Sequence, residues 1–199
     1  MEKKVITVSR EFGSGGRSIA KELAQRLGWS YYDKELVKEV AAKTGFDPAF
    51  IEDRGEFAAT RSILSYALSG QGTPGVMRGM SASDFLWCMQ RDVILELAEK
   101  GNCVIVGRCA DYILRDNKDC LHVFIHADMA SRAKRIVERY GEKDKSPEKR
   151  LAEKDQKRRV YYKNYTGRNW GQAQNYDLCL NSGVLGEEAC VELIVAACK

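Results

Sequence analysis

The sequence predicts an α/β fold built on a five-stranded parallel sheet, and three observations predict it. Five short β-branched or aromatic runs alternate with amphipathic segments. The first, third and fourth runs are apolar almost throughout, as strands buried on both faces are. The chain has 199 residues, 44% of them hydrophobic, enough for one sizeable core and too few for two independent ones. Residues 1–199 are therefore expected to form a single domain.

The first run, VITVS (5–9), leads through a glycine cluster into residues 17–27, where Ile19, Ala20, Leu23, Ala24 and Leu27 fall on one helical face. WSYYD (29–33) is the second run. Asp33 then stands where a helix KELVKEVAAKTG would take its N-cap. Residues 82–100 repeat the helical pattern with Phe85, Met89, Val93 and Leu97 inward. CVIVG (103–107), LHVFIH (121–126) and YDLCLN (176–181) complete the set of strands. Two stretches break the rhythm: 44–83, with FDPAF, SGQGTPG and MRGMSAS, and 132–168, dense in charge. Both are expected to be flaps over a site.

Lys and Arg number 32 against 28 Asp and Glu, a net charge of +4, too balanced to imply a nucleic-acid or membrane surface from composition. Any basic site must be local. Seven cysteines, at 88, 103, 109, 120, 179, 190 and 198, include no Cys-x-x-Cys pair and several lie in apolar runs, which reads as reduced, buried thiols. No run is apolar for the length a bilayer crossing needs, and MEKKVITVS lacks the apolar core of a signal peptide. A cytoplasmic protein with no membrane partner is expected.

A strand, a glycine loop and a helix in that order gather backbone N–H groups and a helix N-terminus around one point, which is an anion site. The phosphate-loop template G-x-x-x-x-G-K-[ST], laid on Glu11 to Ser18, matches at Gly16 and Ser18 and departs at Glu11 and Arg17. Arg17 could supply the lysine's charge, and Ser18 keeps the hydroxyl that such a loop uses on magnesium. The rival template is the dinucleotide fingerprint, reading Gly13, Gly15 and Ser18 with Asp33 as the ribose acid. A third reading is a glycine turn with no ligand.

At this point the chain resembles the cytidylate kinase-like P-loop proteins and, more distantly, bacterial cytidylate kinase. The likeness rests on ITVSREFGSGGRSIAKELAQRLG, YYDKEL, VIVGRCADYIL, EKDQKRRVYYKNYTGRNWG and YDLCLNS. It implies a P-loop NTPase three-layer sandwich with strand order 2-3-1-4-5, a helical acceptor-binding insert at about 44–83 and a basic lid at about 132–168. It also implies ATP and Mg2+ as cofactors, and phosphorylation of a nucleoside monophosphate, CMP or dCMP, as the activity.

Residue by residue, the resemblance assigns Gly13, Ser14, Gly15, Gly16, Arg17 and Ser18 to the ATP phosphates. Asp33, Arg91 and Arg108 are assigned to the acceptor. Ser18 is the expected metal ligand. The acid that precedes Gly-Arg in these kinases is Val106 here, which leaves Asp111 as the nearest substitute. Between 132 and 168 fourteen Lys and Arg face six Asp and Glu. Arg132, Lys157, Arg158 and Arg159 resemble lid residues that, with Arg17, stabilise charge on the transferring phosphoryl group. The bland alternatives are an Asp33 that merely caps its helix, a solvated Arg91 and charges that pair along helix faces.

Aromatic residues in VYYKNYTGRNWG could stack bases, but they serve equally as packing anchors, and nucleic acid is not expected as a partner. His122 and His126 share a strand face with Phe124 and are read as packed side chains. Two rivals to nucleotide phosphorylation stay open: a kinase of the same fold for another small acceptor, and a nucleotide-binding regulator without turnover. Composition and pattern are silent on oligomeric state.

Overall fold

A computed structural model describes residues 3–45, 47, 48, 51 and 81–199. Most of the expected acceptor-binding insert lies outside the described residues. Five strands, β1 (Val5–Arg10), β2 (Ser30–Tyr32), β3 (Cys103–Val106), β4 (Cys120–His126) and β5 (Leu178–Asn181), form one parallel sheet in the order β2-β3-β1-β4-β5. This is the predicted order. β1 is central, with Val8 opposite Val106 on one side and Arg10 opposite Ile125 on the other.

Among the described residues seven helices surround the sheet: α1 (Gly16–Leu27), α2 (Lys34–Thr44), α3 (Ala82–Lys100), α4 (Ala110–Ile113), α5 (Met129–Tyr140), α6 (Pro147–Thr166) and α7 (Ser182–Ala197). Ile19, Ala20, Leu23 and Ala24 of α1 join Val104, Val106, Leu121, Val123 and residues of α7 in one apolar layer. On the other face Leu36 and Val40 of α2 and Leu86, Val93, Ile94 and Leu97 of α3 pack with Ile105. The sheet is thus buried on both sides, which is why β1, β3 and β4 carry runs without alternation. Truncating a fully buried Ile6 or Ile125 to Ala would cost about 2–5 kcal/mol.

Helix ends follow local chemistry. Gly28 closes α1 in the left-handed conformation, its N–H reaching the carbonyls of Ala24 and Gln25. Ser81, Asp128 and Ser146 cap α3, α5 and α6 by accepting from the third residue on, and Pro147 opens α6. The stretch expected to be a basic lid is largely the helix pair α5 and α6, on the side of the sheet where β1, β3 and β4 end, the edge at which open parallel sheets bind ligands.

Candidate functional site

The loop after β1 is shaped by its neighbours. Gly13 (φ 82°) and Gly15 (φ 79°) are left-handed, and Gly15 is the N-cap of α1. A Cβ on Gly13 would lie 2.9 Å from Ile136 Cγ2 and 3.0 Å from the carbonyl oxygen of Arg132, so both backbone angle and space demand glycine. Ser14 turns its hydroxyl inward, to the carbonyls of Glu11 (2.9 Å) and Ile125 (3.1 Å), and its own carbonyl accepts from Ser182 Oγ at 2.6 Å. The Ser14 N–H also reaches the Glu11 carbonyl at 3.3 Å, so Ser14 shapes the loop. The left-handed turns at Gly13 and Gly15 border one concavity, as in an anion nest.

That concavity holds a cavity of about 110 Å3 between the loop and α5. Five arginines line it: Arg10, Arg17, Arg135, Arg139 and Arg158. A cluster of guanidinium groups over loop amides and a helix N-terminus suits a polyphosphate. A second, smaller cleft lies toward β3, with Gly107, Arg108 and Cys109 on its wall. Arg10 and Arg158 line both.

Asp155 of α6 organises the floor. Its Oδ1 accepts from the Phe12 amide (2.8 Å) and lies 3.4 Å from Arg158 Nη1, while its Oδ2 accepts from Arg132 Nη1 at 2.6 Å. Arg132 also donates to the Phe12 carbonyl (3.3 Å) and sits 3.4 Å from the Glu11 carboxylate. Its side chain is 7% exposed and it lies outside the residues lining the cavity. Arg132 therefore ties the loop and α5 to α6 rather than presenting charge to a ligand. Lys157 is half-buried on α6, and Arg159 is exposed, its guanidinium 5.8 Å from the Trp170 ring and lining a third cavity with His126 and Phe124.

Arg17, on the cavity wall, forms an ion pair with Asp33, Nε to Oδ2 2.6 Å. Asp33 occupies the N-cap position of α2 but makes no capping bond with its side chain. Arg108, left-handed at φ 58° and buried, donates to Gln90 Oε1 and to the Ile51 carbonyl, each at 3.3 Å. Gln90 is fully buried, and its Nε2 has no partner among the described residues. Arg91, its neighbour, is exposed and pairs with Asp92 at 3.5 Å. The structure thus brings Arg17 and Asp33 together and sets Arg108 beside Gln90, while Arg91 faces outward.

The two residues expected at the metal are engaged. Ser18 Oγ accepts from Arg139 Nη1 (2.9 Å) and Arg135 Nη2 (3.3 Å), and two guanidinium groups beside it oppose a second cation. Asp111 is buried, with Tyr162 donating to Oδ2 at 2.6 Å and Ser9 to Oδ1 at 3.2 Å. Burial raises its carboxyl above the ordinary range, and the Tyr162 and Ser9 hydrogen bonds offset part of that. Among the described residues no group of three His, Cys, Asp or Glu could hold a metal ion. The site fits a polyphosphate, and these two oxygens do not fit magnesium ligation.

Sequence reasoning missed Arg10, Arg135 and Arg139. The last two were visible as spacing, since 132, 135 and 139 share a helix face. Arg10 ends a buried strand and carries no such pattern.

Residues 5–184 match the cytidylate kinase-like family. A cytidylate kinase from Archaeoglobus fulgidus is 32% identical over 96% of this chain and 93% of its own length. One from Pyrococcus horikoshii is 25% identical over 98% and 88%. Among solved structures, an uncharacterized protein from Eubacterium ventriosum superposes with a TM-score of 0.73 at 28% identity, covering 98% of both chains. A shikimate kinase from Bacteroides thetaiotaomicron shares the fold, with a TM-score of 0.57 at 16% identity over 98% of this chain and 97% of its own. No described helix is long and apolar enough to cross a membrane.

Proposed function

The chain belongs to the cytidylate kinase-like family, and we propose from that premise that this kinase moves the γ-phosphoryl group of ATP onto a nucleoside monophosphate, with CMP or dCMP the first acceptors to test. The observation that carries the reading is the meeting of two clefts at Arg10 and Arg158. One cleft is a phosphate cradle, and the other lies beside Arg108 where a second anion can sit.

ATP is held by the amides of Gly13, Gly15, Gly16 and Arg17, with its terminal phosphate directed at the junction. An oxygen of the acceptor's phosphate attacks Pγ as the bond from Pγ to the β–γ bridging oxygen breaks, and ADP leaves. Such transfer needs position and charge stabilisation more than covalent help from the protein. Arg158, fixed by Asp155, faces the equatorial oxygens; Arg135 and Arg139 hold the donor side. Asp33, positioned by Arg17, and Arg108, positioned by Gln90, belong to the acceptor side, with Arg159 and Lys157 on the lid above. A divalent cation, which the family implies together with ATP, would supply charge neutralisation on the phosphates when bound.

A second reading, a nucleotide-binding regulator without turnover, draws on the engagement of Ser18 and Asp111. An acceptor panel with magnesium-ATP, read as ADP release, separates the two. CMP or dCMP should give the highest kcat/KM. Tight ATP binding without turnover on any nucleoside monophosphate would defeat the kinase reading.

A further inference from the structure

The phosphate-loop template contains one lysine, and neither frame of this loop supplies it. We infer that Arg10 is the loop's phosphate cation, standing in for that lysine from the end of β1, and that the template runs Arg10 to Arg17 rather than Glu11 to Ser18. This rests on the proposed reading of the loop as the ATP phosphate site and adds a role for a residue outside the loop's glycine run.

The backbone sets the frame. Gly16 is the first residue of α1, while Gly15 before it is left-handed at φ 79°. The template's last glycine belongs where the chain must turn left-handed before the helix begins. With Gly15 there, the lysine position falls on Gly16 and the hydroxyl position on Arg17.

Sterics couple Gly16 to Arg10. A Cβ on Gly16 would lie 2.5 Å from Arg10 Cβ and 3.0 Å from its Cγ. The stem of Arg10 therefore occupies the space from which a lysine at 16 would start, and the two side chains exclude one another. An arginine at 10 requires glycine at 16, and a lysine at 16 requires a small residue at 10.

Position and charge agree with this. Arg10 is 5% exposed and lines both clefts, whereas Arg17 lines only the donor cleft. A guanidinium at the junction can bind two phosphate oxygens at once, with a permanent charge.

The test measures affinity for inorganic tripolyphosphate by calorimetry, without divalent metal, on the full chain and on R10M, R17M and the double variant R10G/G16K. Methionine keeps the aliphatic stem of Arg10 and leaves no polar group buried. R10M should weaken binding by about tenfold or more, as a lost charge-assisted contact does. R17M should weaken binding less than R10M does, since the Arg17 guanidinium is already paired with Asp33, and R10G/G16K should regain most of the loss. A larger loss in R17M than in R10M would overturn the assignment. So would a folded R10G/G16K that binds no better than R10M. If R10M fails to fold, the double variant decides alone: affinity within about tenfold of wild type supports the swap, and weaker binding overturns it. Wild-type binding without turnover on nucleoside monophosphates would sink the proposed reaction while leaving this outcome readable.

Discussion

Arg132 and Asp155 form a buried ion pair, 2.6 Å from Nη1 to Oδ2, that joins α5 to α6. The same carboxylate holds the Phe12 amide, so the loop and both helices share one anchor. Asp155→Asn should destabilise the protein by about 3–5 kcal/mol, since removing one partner leaves a buried charge uncompensated. Denaturant unfolding reads the loss, and hydrogen exchange should rise at Phe12 and Gly13. A loss under about 1 kcal/mol, the size of a surface pair, would contradict the anchor.

Gly13→Ala tests the loop's fit. The left-handed backbone alone costs an alanine about 1–2 kcal/mol, and the contact with Ile136 and the Arg132 carbonyl adds to it. Stability and ATP affinity should fall together. A variant as stable as wild type would mean that the loop relaxes.

Asp33→Asn separates acceptor positioning from helix capping. Because Asp33 makes no capping bond and its pair with Arg17 is partly exposed, stability should change by about 0–1 kcal/mol. The acceptor's KM should rise by roughly tenfold with ATP affinity spared. A stability loss with unchanged KM would return Asp33 to a structural role.

His122 gives a pH signature away from the site. Its ring lies 2.8 Å from Thr7 Oγ1, and burial holds its imidazole below the ordinary value. The unfolded chain takes up a proton near pH 6.5 while the folded one does not until lower pH. Stability is therefore full above that value and is lost as pH falls below it. His122→Asn should flatten the fall in melting temperature between pH 7 and pH 5. An unchanged slope would assign the fall to other groups.

Strands β1, β3 and β4 were legible because burial on both faces writes continuous apolar runs, and the observed ends of all five lie within two residues of the runs read from sequence. The left-handed turn into α1 was legible from the glycine cluster itself. The partners of the charges around it were not. Arg17 sits in the loop and reads as the lysine's substitute, yet its partner is Asp33, sixteen residues on, and that pairing depends on how β2 lies in the sheet. Arg132 and Arg158 read as equivalent lid charges, and Asp155 divides them: it sequesters the first beside Phe12 and leaves the second at the junction of the clefts. The place of Arg132 depends on contacts 23 and 120 residues apart, beyond any local pattern.

The central claim is that phosphoryl transfer to a nucleoside monophosphate takes place at the junction held by Arg158. The most direct measurement is CDP formation from ATP and CMP by wild type and by Arg158→Met, with ATP affinity taken on the same proteins. Wild type should form CDP, and the variant should lose about 2–4 kcal/mol of transition-state stabilisation, roughly 30-fold to 1,000-fold in kcat, while its ATP affinity stays within a few-fold. A variant that keeps its kcat, or a wild type that binds ATP and forms no diphosphate from any nucleoside monophosphate, would contradict it.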